Sequence, residues 1–180
     1  MTDDAGGWQQ LADLLPPVDA QEVMDCWAIG EQEAGLDILV ASLLRRETPI
    51  SDRSRAQLAV TAEVWGQREA LEPKIIQCRR HADGDGDVRV IAPADAVSVP
   101  GPVIGSQREL AEQLVVPWIA CTSCQQVLGR AHTREPWGDL SYLATHYVLF
   151  SPGAVARTRL FGPSAANEAF AALISCTICQ

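Results

Sequence analysis

Residues 36–44 read Leu36-Asp-Ile-Leu39-Val40-Ala-Ser-Leu43-Leu44. Their leucines and valine fall at i, i+3, i+4, i+7 and i+8, the stripe of a helix laid on an apolar core. Thr48-Pro49-Ile50 breaks this helix, and Ser51 can cap the next, over about 52–65, which buries Leu58, Ala62 and Trp65. Upstream, Asp19 and Glu22 have capping-box spacing and predict a helix over about 20–29, with Val23, Trp27 and Cys26 turned inward and Gly30 at its end. Residues 8–15 suggest a short leading helix stopped by Pro16-Pro17, and Gly66 and Pro73 close the helical stretch.

Beyond residue 75 the period changes. Residues 87–91 and 96–99 are β-branched or alternating and read as short strands, as do 142–150 and 155–161. Ser106 with Glu109 predicts a helix to about Leu114, and Ser164 can cap a last helix through Ala171. The expected class is α+β. An acidic helical region, 1–75, precedes a mixed, sheet-containing region, 76–180.

The 180 residues suffice for a core without staples, and no apolar run approaches the ~20 residues of a membrane span. The net charge is −9, which argues against nucleic acid, since such binders neutralise phosphates with Lys and Arg. The acid is concentrated: 1–75 holds 14 Asp/Glu against 6 Arg/Lys, and 76–180 holds 9 against 8. The opening Met-Thr-Asp-Asp lacks the basic-then-apolar layout of a secretory leader. A cytoplasmic protein is expected, whose six cysteines serve as thiols or metal ligands.

Four of those cysteines form two CxxC pairs, Cys121/Cys124 and Cys176/Cys179. Two sulfurs three apart on a tight turn can share a metal, and two such turns supply the tetrahedral thiolate set that Zn²⁺ prefers. Buried thiols or a redox pair are the plainer alternatives. The knuckles have Gln125 and Gln180 where glycine often follows the second cysteine. A four-thiolate site leaves no open position, so it points to folding and not to catalysis. By spacing, this half resembles zinc ribbons and Yippee-like β-tent zinc domains, which implies a small sheet closed by one structural zinc.

Weaker constellations have plainer readings. Cys26 and Cys78 read as two unrelated, partly buried thiols. Asp83 to Asp87 imitates a calcium loop but has Val88 where the turn glycine belongs and Ala94 where the closing glutamate belongs, so it reads as a solvated turn. His81, Asp83, Cys121 and Cys124 imitate a zinc deaminase without its glutamate or the proline before its cysteines. Cys121 with His132 or His146 and Asp139 has no context that marks a nucleophile.

The acidic helices carry like charges on one face. Glu22 and Asp25 are three apart, Glu33 and Asp37 four apart, and no basic residue near them in sequence offsets them. Such a face either keeps the chain dispersed or receives a basic partner. The stretch Trp27-Ala-Ile-Gly-Glu31-Gln-Glu-Ala-Gly35-Leu36, continuing through Pro49-Ile-Ser51 to Trp65-Gly66, resembles small helical immunity proteins of bacterial contact-dependent, polymorphic toxin systems. The likeness covers about residues 19–70. It implies a non-enzymatic protein that binds and neutralises a cognate toxin, often a basic nuclease, with Glu22, Asp25, Glu33 and Asp37 as its partner face. A zinc-ribbon adaptor of a protein complex is the alternative, and a zinc-dependent enzyme a third.

Overall fold

The computed structural model describes residues 5–81, 86–153 and 157–175. The chain is α+β, with helices first and an antiparallel sheet after them. It divides into two compact units, 1–85 and 86–180, and not at 75/76.

The first unit is built from α1 (Ala5–Ala12), α2 (Pro17–Ala28), α3 (Gln32–Arg45), α4 (Asp52–Val64) and α5 (Arg68–Gln77). The leucine stripe behaves as its spacing predicts: Leu36, Leu39, Val40 and Leu43 are buried, with Val23, Leu58, Leu71 and Ile75 in the same core. Trp8 sits between Trp27 and Trp65, at 5.2 and 6.4 Å between ring centres, and so joins the first, second and fourth helices. Gly35 lets α2 and α3 close up, because a β-carbon there would lie 3.2 Å from Cβ of Cys26 and 3.3 Å from the Trp8 ring.

Two N-termini separate expectation from outcome. Ser51 caps α4 as expected, its Oγ accepting from the Ser54 amide at 2.9 Å. Asp19 does not cap. Its helix starts earlier, at Pro17, whose fixed φ suits a first helical position. The carboxylate instead takes Nε of Arg46 at 2.7 Å and Nη2 of Arg45 at 3.4 Å from the far end of α3. That bond to Arg46 holds the Asp19 carboxyl below the usual carboxylate range.

The last helix of this unit runs through Pro73, where the sequence pattern predicts a stop. A proline inside a helix deletes one backbone bond and crowds the preceding turn. Leu71 and Ile75 are fully buried on either side of it. The far end is held by Arg55, 1% exposed, which donates to the carbonyls of Ile75, Ile76 (3.2 Å) and Cys78 (2.7 Å). A cation on the terminal carbonyls of a helix satisfies orphan acceptors and the helix dipole together. Past α5, Ile50 pairs with Arg80 in a parallel bridge, so the chain to His81 belongs with the helices.

Among its described residues the second unit holds six strands: β1 (Val88–Val90), β2 (Val99–Pro100), β3 (Gln113–Cys121), β4 (Val127–Thr133), β5 (His146–Phe150) and β6 (Arg159–Phe161). The order is β1-β3-β4-β5-β6, and β2 also pairs with β3. A four-residue helix, α6 (Gly101–Ile104), and α7 (Ala166–Ile174) complete it. One face of the sheet sets Val115, Ala131, Val148 and Phe150 against Ile104 and Leu110. α7 packs on β4, β5 and β6.

The helix expected over 106–114 is a single 3-10 turn, Arg108–Leu110, because Leu110 is the one large apolar residue of 106–112. The β-branched run after it, Val115-Val116, goes into β3 instead. Pro117 is tolerated in that strand because the register slips between Pro117 and Ile119, a bulge that needs no donor there. Trp118 at the bulge is fully buried, with the Arg130 guanidinium 4.8 Å from its ring centre and the Tyr147 ring at 6.2 Å.

Candidate functional sites

The first CxxC pair lies on the turn between β3 and β4. Cys121 is the last residue of β3 and is buried, and Cys124 is half-buried. The Cys121 amide donates to the Gln126 carbonyl at 2.8 Å, which closes the turn. Thr122 fastens it to the chain leading into β1, its amide donating to the Asp87 carbonyl at 2.9 Å and its Oγ1 to the Gly86 carbonyl at 3.0 Å. Gln125 has φ +60°, the left-handed conformation that glycine adopts most readily. The residue type expected after the second cysteine is absent, yet its backbone conformation is present. Cys121 and Cys124 thus sit on one closed turn.

Cys176 and Cys179 lie outside the described residues, as does most of the Asp83–Asp87 turn. Among the described residues no three His, Cys, Asp or Glu side chains gather as a metal site. α7 runs to Ile174 and so delivers the chain directly to the second cysteine pair. Cys26 and Cys78 are thiols of the helical unit. The Cys78 thiol, which donates to the Lys74 carbonyl at 3.6 Å, is pushed up by burial, against the pull of the Arg55 guanidinium. His132 donates from Nδ1 to the Ser141 carbonyl at 2.8 Å, tying β4 to the connection that follows it.

The strain at Gln125 yields a prediction. Glycine should be accepted there, whereas Gln125→Val should destabilise the sheet unit by about 1–2 kcal/mol relative to Gln125→Gly, since a β-branched residue is strained at positive φ. Urea unfolding of the two variants measures the difference.

Glu22 and Asp25 lie on α2 and Glu33 and Asp37 on α3, and all four are exposed. They are not equally unopposed, and here the expectation from sequence needs correction. Lys74 of α5 stands 3.3 Å from Asp37, and Nε2 of Gln67 donates to Glu33 at 3.1 Å. Asp25 accepts from Gln21 on its own helix at 2.7 Å. The cross-helix partners escape the sequence pattern because Pro73, taken as a breaker, leaves α5 out of the helical set.

Comparison with protein-family models, curated proteins and solved structures finds no match. No helix among the described residues is long and apolar enough to cross a membrane.

Proposed function

We propose that this chain is a cytoplasmic binding protein that neutralises a cognate bacterial toxin through the acidic face of α2 and α3, with a structural zinc site in its second unit. The observation that carries the reading is the division of each helix: Glu22, Asp25 and Asp37 are exposed, while Val23, Leu36, Leu39 and Val40 are buried. The carboxylates are therefore displayed by helices whose other side is fixed in a core. Such a face speeds encounter with a basic protein and selects its orientation. The zinc reading has Cys121, Cys124, Cys176 and Cys179 as ligands. Bound there, zinc would serve the fold by joining the β3–β4 turn to the segment after α7. A four-thiolate site needs reduced cysteines, which suits the cytoplasm.

The test is co-expression with the product of the adjacent gene, the position in which an immunity protein's toxin is encoded. Neutralisation in cells and a stable complex after purification are expected. A neighbouring toxin that kills in the presence of this protein and forms no complex with it overturns the reading. Nucleic acid is expected to bind poorly: with net charge −9, no sub-micromolar, salt-sensitive shift of DNA or RNA should appear at physiological ionic strength.

A further inference from the structure

The connection between β4 and β5, residues 134–145, is long for a hairpin and is closely held. Arg134 pairs with Leu140, and the Glu135 amide donates to the Asp139 carbonyl at 2.8 Å. The Ser141 amide donates to the Thr133 carbonyl at 2.8 Å, its Oγ accepts from the Thr133 amide at 3.2 Å, and its carbonyl takes the His132 bond. Thr145 closes the loop with its amide on the Ala131 carbonyl at 2.8 Å. Out of this fixed backbone stand Trp137, Tyr142 and Leu143, exposed by 74, 56 and 66%.

Large apolar side chains held in water on an ordered loop match the composition of interface anchors, and the ordering lowers the entropic cost of docking. Long loops that keep a defined shape in a compact domain are commonly functional. We infer that this loop is a second contact surface, which seats Trp137 and Leu143 in an apolar pocket with a basic rim on another protein. The inference goes beyond the toxin reading, which places no contact in this unit.

Charge selects the occupant. Glu135 and Asp139 flank the apolar residues, and the one guanidinium of the loop, Arg134, is turned back onto the Gly138 carbonyl at 3.0 Å. Residues 134–145 carry two carboxylates against one guanidinium. An anionic bilayer or a nucleic acid would meet this surface with like charge. A second copy would set Glu135 and Asp139 against themselves in a two-fold contact. Three side chains expose a few hundred Å², short of the ~800 Å² per partner of a standard interface. They therefore act as an anchor inside a larger polar contact, the place where a basic rim complements the flanking carboxylates.

Selection of a random peptide library displayed on phage against the immobilised full-length protein tests this and requires no identified partner. Enriched peptides should combine bulky apolar residues with Arg or Lys. They should lose roughly tenfold or more in affinity for Trp137→Ser/Leu143→Ser, and Trp137→Phe should retain most of the binding. Both variants change exposed side chains and should unfold at the wild-type temperature. Absence of enrichment, peptides with an acidic consensus, or peptides that bind the double variant unchanged overturn the inference. So do a dimer in sedimentation that the double variant abolishes, and flotation of the protein with phosphatidylserine vesicles. Failure of the neighbouring toxin to bind would sink the toxin reading and leave the peptide result standing.

Discussion

Purified under reducing conditions, the protein is expected to carry one zinc per chain and to lose it on Cys121→Ser. Cys121 lies in the β3–β4 turn and is paired in register with Val88 of β1, so a metal there ties three strands together. Binding of a structural zinc is worth on the order of 10 kcal/mol in small domains, comparable to the whole stability of a unit this size. Cys121→Ser, or a strong chelator, should therefore unfold the sheet unit. The helical unit should keep its far-ultraviolet signal, because its core of Leu36, Leu39, Leu58 and Ile75 contains no ligand. Cys124→Ser and Cys176→Ser should behave alike. Metal-free protein with a fully folded sheet unit would contradict the zinc assignment.

The second large effect belongs to Arg55→Met. The methionine would fill much of the space but would leave the carbonyls of Ile75, Ile76 and Cys78 without the donor that now holds them. Arg55 and the Cys78 thiol are both buried there, and water has little access to replace it. Unsatisfied buried acceptors cost ~1–3 kcal/mol each, and the change also removes one of the two guanidiniums beside Asp52, which keeps Arg80 at 3.1 Å. A loss of about 3–5 kcal/mol is expected in urea unfolding followed by the Trp8–Trp27–Trp65 fluorescence. Lysine should rescue only part of it, because one ammonium cannot reproduce a guanidinium fork on diverging carbonyls. A loss below about 1 kcal/mol would show that α5 tolerates Pro73 without this cap.

Where local pattern and tertiary packing agree, the sequence is readable. The stripe from Leu36 to Leu44 and the Ser51 cap predict α3 and α4 within a few residues. Local pattern fails where long-range partners decide. Pro73 reads as a breaker by residue type, yet the helix runs through it, with Leu71 and Ile75 buried on either side and its far end capped by Arg55, eighteen residues earlier in the chain than the proline. Asp19 reads as a cap because Arg46 lies across a helix hairpin. β4 escapes for a different reason: Arg130 and His132 alternate with Gly129 and Ala131 and suggest a polar face, yet both are buried, one on the Trp118 ring and one on the Ser141 carbonyl. The candidate site follows the same division. The CxxC turn is visible as spacing, and its left-handed Gln125 is visible only in the backbone. The four carboxylates are visible as charge, and the pairing of Asp37 with Lys74 and of Glu33 with Gln67 is not.

That pairing decides how the acidic face should be tested. Reversal of Asp37 would place a new cation against Lys74, and reversal of Glu33 would break its bond from Gln67, which mixes a folding effect with a binding effect. Glu22 and Asp25 on α2 give the cleaner pair, since Val23 carries the buried side of that segment. The decisive measurement for the proposed docking face is the affinity of Glu22→Lys/Asp25→Lys for a toxin that the wild-type protein is shown to bind, compared with wild type from low to high salt. An acidic docking face predicts at least roughly tenfold weaker binding at low salt, through slower association, with the two proteins converging as salt screens the charges. An affinity that ignores both the double reversal and the salt would contradict it.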